Sequence, residues 1–257
     1  MSSHAPETPL LEARRIEKRF GHVVALRDGN FSLAPNEVHA IVGDNGAGKS
    51  TLIKVISGVL HADAGELLLE GEPVQIANPR EARALGIETV YQDLALAEHL
   101  DAAANLFLGR ELYLPPPLSW FGFLDRRTMR ERARDEMRRL KIGIQSVEQP
   151  VVELSGGQRQ AIAVARAIAW GRRIVIMDEP TAALGVRESS MVLGLIKEVK
   201  SHGLAVLMIS HNLPEVFAVA DRITVMRLGR TITTLTTKET SLEAVVAMMT
   251  GALGVAA

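Results

Sequence analysis

Nine consecutive residues constrain this chain more than any others: Gly43-Asp44-Asn45-Gly46-Ala47-Gly48-Lys49-Ser50-Thr51. They lie between Glu37 to Gly43, an apolar run that reads as a buried strand, and Lys49 to Ser57, which has helical period. Ile53, Ile56 and Leu60 are spaced to face a core from that helix. Glycines in such a loop let successive backbone N–H groups turn inward, and the helix adds its positive N-terminal end. The result is an anion-binding nest of the P-loop pattern. Lys49 is expected to reach the β- and γ-phosphates of a nucleoside triphosphate, Ser50 to ligate Mg²⁺, and Thr51 to make a further phosphate contact. Kinases, GTPases, helicases and transport motors all use this loop, so the class has to be decided elsewhere.

Around the loop, short β-rich runs alternate with helical segments, which predicts an α/β fold with a mainly parallel core sheet. Ile87 to Tyr91, Arg173 to Asp178, Leu204 to Ser210 and Arg222 to Arg227 are the further strand candidates. Arg187 to His202 and Asn212 to Val219 read as helices. The middle third differs. Ala102 to Leu108, Arg126 to Lys141 and Ser155 to Trp170 read as helical, and Pro115-Pro116-Pro117 as an exposed loop. This predicts one domain over 10–250, with a helical subdomain at 93–170 inserted into a core built from 10–92 and 171–250. The first forty residues and Glu66 to Ile76 read as antiparallel hairpins. Arg126 to Lys141 carries Glu131, Asp135 and Glu136 among its arginines, the spacing of a solvated face with i,i+4 pairs, with a docking surface for a partner as the alternative.

Two more elements carry chemistry. Arg173 to Glu179 is an apolar strand ending in adjacent carboxylates, a Walker B pattern; side chains alternate along a strand, so the two acids take different roles. Asp178 is the expected Mg²⁺ partner, and Glu179 is free to orient or deprotonate an attacking water. Leu154-Ser155-Gly156-Gly157-Gln158 precedes a helix, with Ser155 as its N-cap and two glycines exposing N–H groups at a second anion-binding helix start.

With these motifs the chain resembles, over essentially its whole length, the nucleotide-binding subunits of ATP-binding cassette (ABC) transporters. The order matches: P-loop at Gly43, Q-loop glutamine at Gln92, LSGGQ signature at Leu154, Walker B at Asp178-Glu179, switch histidine at His211. Phe20 matches the aromatic residue that stacks on adenine. The resemblance implies a head-to-tail dimer of two copies, with ATP held between one P-loop and the partner's signature. Ser155, Gly156 and Gly157, with Gln158 completing the motif, would then cap the γ-phosphate bound at Lys49 of the partner. Gln92 would touch Mg²⁺ and the attacking water, and His211 the γ-phosphate. Tyr91 to Ala95, Asn105 to Glu111 and Asp178 to Gly185 further resemble ATP-binding subunits of bacterial monosaccharide importers of the ribose, fructose and xylose type. Implied partners are transmembrane permease subunits and an extracytoplasmic solute-binding protein, with the chain peripheral at the cytoplasmic face of the inner membrane. One departure is Gly185, where most ABC proteins have an aspartate that helps link the two sites.

Composition narrows the rest. Lys+Arg 29 against Asp+Glu 30 gives a net charge of -1, so no global field draws the chain to nucleic acid. No cysteine is present, which removes disulfides and thiolate chemistry. Met1 to Pro9 is polar, without the apolar region of a secretory signal. The longest apolar runs fall far short of the roughly 20 residues a spanning helix needs, so a membrane role is expected only through a partner. A GTPase would need an Asn-Lys-x-Asp element, which does not occur, and a kinase would not explain the signature. A soluble ABC ATPase without a transport role stays open, as does a transporter for another solute.

Overall fold

The computed structural model describes residues 8–252. The first seven residues of the polar N-terminal segment therefore lie outside the described part. In chain order the elements are β1 (Leu11–Phe20), β2 (Val23–Leu33), β3 (Val38–Val42), α1 (Lys49–Ile56), β4 (Ala64–Leu69), β5 (Glu72–Val74), α2 (Pro79–Ala84) and β6 (Ile87–Val90). There follow α3 (Ala102–Leu106), α4 (Arg126–Arg139), α5 (Gly156–Trp170), β7 (Ile174–Asp178), α6 (Val186–Ser201), β8 (Ala205–Ile209), α7 (Leu213–Val219), β9 (Arg222–Arg227), β10 (Arg230–Thr236) and α8 (Leu242–Thr250).

The strands run in the order β5-β4-β1-β2-β10-β9-β3-β8-β7-β6. Five of them, β6, β7, β8, β3 and β9, are parallel, with registers such as Ile174↔Ala205 and Val38↔Val206. At the other end β1, β2, β4 and β5 pair antiparallel. β10 joins the two parts, antiparallel to β9 and touching β2 through Arg230 and Asp28.

Alternation along the parallel strands builds the core. Ile174 and Ile176 of β7, with Ile41, Leu207 and Ile209, face one side, where Leu52, Ile53 and Ile56 of α1 pack on them. Val175 and Met177, with Val42, Val206 and Met208, face the other, against Ile162 and Ala165 of α5 and Ile196 of α6. A strand apolar on both faces is what burial between two helical layers requires. Between β6 and β7 the chain forms α3, α4 and α5 and none of the sheet strands.

Several expectations shift in detail. α1 stops at Ile56, where Gly58 turns with φ 72°, so half-buried Leu60 reaches the core from the following loop. α3 ends at Leu106, two residues before the expected end. α4 buries Met129, Ala133 and Met137, and Arg127–Glu131, Arg138–Asp135 and Arg139–Glu136 pair on its solvated side. β10 and α8 were not anticipated: Thr-rich Arg230–Thr236 lacks the apolar alternation that flags a strand. Among the described residues no helix is long and apolar enough to cross a membrane.

Candidate active site

Four neighbouring parallel strands deliver the predicted residues to one edge of the sheet. β3 leads into the P-loop, β6 into Gln92, β7 ends on Asp178 followed by Glu179, and β8 leads to His211. Ligands of open α/β sheets bind at this carboxyl edge of the strands. A cavity of about 320 Å³ lies here, lined by Asn45 to Thr51, Gln92, Glu179, Ala182 and His211.

The loop's shape depends on close backbone contacts. A Cβ on Gly43 would sit 2.3 Å from the Met226 carbonyl oxygen, and one on Gly48, at φ 100°, would sit 2.8 Å from that of Ala25. Gly48 is the N-cap of α1 and offers no side-chain cap, which leaves the first-turn N–H groups to the cavity. Lys49 is 7% exposed, and its Nζ donates to the carbonyls of Gly43 (2.7 Å) and Asp44 (3.0 Å). Burial pushes its ammonium below the ordinary value; Glu179, Asp44 and Asp178 offset this only in part.

Asp178 and Glu179 do have different surroundings. Asp178 has a buried Oδ1 with no hydrogen-bond partner among the described residues. Burial, reinforced by Glu179, raises its carboxyl above the ordinary range against the pull of Lys54 and Lys49. An orphaned buried carboxylate oxygen beside a phosphate nest suits a divalent cation, which supplies the missing positive partner. Glu179 sits at φ 51°, a strained conformation for a side-chain-bearing residue, and its N–H donates to the Ile209 carbonyl at 2.9 Å. Its Oε2 lies 2.7 Å from His211 Nδ1. The two residues expected to face the γ-phosphate and the water thus meet at the cavity wall.

The signature lies apart from this cavity. Ser155 Oγ accepts from Gln158 N–H (3.3 Å) while Gln158 Oε1 accepts from Ser155 N–H (3.0 Å), a complete capping box. Gln158 Nε2 also donates to the Gly143 carbonyl at 2.8 Å, so this side chain braces its own helix start. Gly156 lines a separate cleft of about 300 Å³ that shares Gln92 and Ala182 with the first. Phe20 ends β1, is 48% exposed and does not line the cavity; Lys18 Nζ lies 5.8 Å from its ring centre.

Three contacts escaped sequence reasoning. Thr181 Oγ1 hydrogen-bonds Glu215 of α7, joining the segment after Walker B to the helix behind His211. Glu188 Oε2 accepts from Gly185 N–H at 2.9 Å, while its Cγ lies 2.8 Å from where a Cβ on Gly157 would stand. Arg166 reaches the carbonyls of Leu94 and Ala95. A capping-box spacing from Gly185 to Glu188 was the only local signal among these.

Residues 26–182 match the family model described as ABC transporter. The chain belongs to the ABC transporter family of ATP-binding proteins. It is 52% identical over 248 residues to the fructose import ATP-binding protein FrcA of Rhizobium meliloti, covering 96% of this chain and 95% of that protein. It is 46% identical over 246 residues to the xylose/arabinose import ATP-binding protein XylG of Sulfolobus acidocaldarius, covering 95% and 96%. Against the ribose import ATP-binding protein RbsA 3 of Rubrobacter xylanophilus it is 42% identical over 243 residues, 95% of this chain but 48% of that protein. This ABC chain therefore spans about half the length of the ribose-type relative and nearly all of the fructose-type one. Among solved structures, a nucleotide-free ATP-binding cassette from an ABC transporter superposes with TM-score 0.79 at 28% identity, covering 93% of this chain and 95% of that one. A cassette in its ADP conformation gives 0.77 at 28% identity, covering 94% and 95%. The expected α/β fold of ABC type, with a mainly parallel core, an antiparallel β part and helices between β6 and β7, is the fold found.

Proposed function

We propose that this chain is the ATP-hydrolysing motor subunit of an ABC importer for a monosaccharide. The observation that carries the catalytic part is the Glu179–His211 contact at the wall of the cavity that Lys49, Ser50 and Gln92 line. A carboxylate held by an imidazole beside a phosphate nest is placed to orient and deprotonate a water against a γ-phosphate. Identity to the fructose and xylose/arabinose import proteins over nearly their full lengths supports the solute class.

In this reading the N–H groups of Asn45 to Thr51 and Lys49 hold the triphosphate, and Phe20 stacks on adenine. Ser50, Asp178 and Gln92 are the residues that would hold Mg²⁺, whose charge balances that of the phosphates. Lys49 exchanges the Gly43 and Asp44 carbonyls for phosphate oxygens, a stronger charge-assisted pairing for a buried ammonium. Two copies pair head to tail. Ser155 keeps its hydroxyl proton free to donate, since Oγ already accepts from Gln158 N–H. With Gly156 and Gly157 it caps the partner's γ-phosphate, and Gln158 braces the helix start. The dimer sits peripherally at the cytoplasmic face of the membrane on permease subunits, with an extracytoplasmic solute-binding protein delivering the sugar.

Glu179→Gln tests this. The variant is expected to bind ATP, fail to turn it over, and accumulate as an ATP-bound dimer in size-exclusion chromatography. A variant that stays monomeric at saturating ATP, or a wild-type complex with its permease that shows no Mg²⁺-dependent hydrolysis, would overturn the reading.

A further inference from the structure

Helix α5 starts at the signature and carries, about 16 Å further along its axis at the usual rise per residue, the side chain of Arg166. That guanidinium does not pair with a carboxylate among the described residues. Instead, its two terminal nitrogens donate separately, Nη1 to the Ala95 carbonyl (2.9 Å) and Nη2 to that of Leu94 (2.8 Å). A planar fork can hold two neighbouring carbonyls in one geometry, which a single ammonium cannot. Burial disfavours the charge there, with Glu88 offsetting part of the penalty.

The two carbonyls belong to an unusual piece of backbone. Leu94 and Ala95 lie consecutively at φ 58° and 45°, although neither is glycine. Such conformations persist only where surroundings impose them. The Leu94 N–H returns to the Tyr91 carbonyl (2.9 Å) and the Ala95 N–H to that of Asp93 (2.7 Å), closing a turn around Gln92. Gln92 lines both the nucleotide cavity and the cleft beside Gly156.

We infer that Arg166 is a positioning residue for Gln92, through which the signature helix of one subunit sets the Q-loop of that same subunit. The inference rests on the proposed dimer, in which Ser155 meets the partner's ATP. A shift of α5 on meeting that phosphate moves Arg166, and with it the turn that aims Gln92 at the chain's own nucleotide. The two ATP sites of the dimer are thereby linked along α5, a route that does not pass through Gly185.

A double-mutant cycle on ATP hydrolysis by the assembled transporter decides it, with Arg166→Lys and Gln92→Ala made singly and together. Gln92→Ala lowers kcat. Arg166→Lys lowers kcat by about five- to a hundredfold, the scale of a misplaced group near the chemistry, while ATP binding by the isolated chain is unchanged. In the Gln92→Ala background the same substitution costs less than about twofold, because the group it acts through is gone. Equal losses in both backgrounds would make Arg166 a general structural residue, and no loss in either would remove its role altogether. Unchanged kcat in Gln92→Ala alone would instead overturn the assignment of Gln92. Thermal unfolding checks that each variant is folded; Arg166→Gln replaces the lysine variant if that one is not.

Discussion

Replacing Asp178 by asparagine removes a charge that the fold holds at a cost. Its Oδ1 is buried without a partner among the described residues, and burial together with Glu179 raises its carboxyl above the ordinary value of 3.8. An unpartnered buried polar atom costs about 1–3 kcal/mol, and an ionised one costs more. Asparagine keeps a polar atom in that place and removes only the excess due to the charge. Asp178 is half buried and Lys54 and Lys49 offset part of the penalty, so Asp178→Asn should stabilise the nucleotide-free protein by about 1–2 kcal/mol. For a chain of this size each kcal/mol moves Tm by about 2–4 °C, giving a rise of roughly 2–8 °C. The pH dependence has a definite sign. The folded state binds this proton more tightly than the unfolded chain, so the penalty is absent below 3.8 and sets in as pH rises through the raised folded pKa. The variant's advantage therefore grows from acid towards neutral pH. Mg²⁺ and ATP reverse the order, since a ligand at a hundred times its Kd stabilises the wild type by about 2.7 kcal/mol and the variant loses the Mg²⁺-dependent share. Thermal unfolding in EDTA, in ATP, and in ATP with Mg²⁺ at several pH values reads all of this. A variant less stable than wild type at pH 7 without nucleotide, or one that keeps the full Mg²⁺ increment, would refute the reasoning.

Four further substitutions test the packing around the signature and the turn after Walker B, all by thermal unfolding. Gly157→Ala places a methyl 2.8 Å from Glu188 Cγ and 3.2 Å from Met191 Cε, and the overpacking should cost about 1–3 kcal/mol. Among the described residues Gly156→Ala meets only the flexible end of Leu184, at 3.2 Å, and should cost less; the opposite ranking would contradict the packing. Ser155→Ala removes one half of the capping box and should cost about 1 kcal/mol, a loss absent if the cap is not made in solution. Gly185→Asp is compatible with the backbone at φ -72° and ψ 167°, and aspartate caps helices only a few tenths better than glycine. Because its Cβ would lie 2.9 Å from Glu188 Oε2, the net change should stay within about 0.5 kcal/mol, and a larger loss would mean that Gly185 is needed for the fold.

Features whose physics is local could be read from the chain. A glycine nest ahead of a helix, a serine cap with glutamine three residues on, and a buried strand ending in two acids each fit within ten residues, and each stands where expected. What they share in space was not readable, because strand order is set by packing: β3 lies between β8 and β9, far from its sequence neighbours. Long-range polar contacts were invisible for the same reason. Arg166 meets carbonyls 71 and 72 positions away, and Thr181 meets Glu215 across 34. β10 was missed because its threonines carry no apolar alternation. Ile232 and Leu235 do pack against the core, but its threonines make polar partner contacts, with Thr234 Oγ1 against Thr224 Oγ1 at 2.7 Å and Thr231 Oγ1 donating to the Asn30 carbonyl.

Gly185 looked from the sequence like a missing link between two sites. Its backbone N–H is nevertheless held by Glu188, whose stem packs where Gly157 has no side chain, so the turn after Walker B and the signature start are joined through one residue. In the proposed dimer the absent aspartate would therefore remove a group offered to the partner subunit without loosening this turn within its own chain. Communication carried by rigid contact, Glu188 on Gly157 at one end of α5 and Arg166 on Leu94 and Ala95 further along it, needs no side chain at position 185. On that argument coupling between the two ATP sites of the proposed dimer should be more sensitive to Arg166→Lys than to Gly185→Asp, read from the Hill coefficient of ATP hydrolysis; the opposite ranking would refute it.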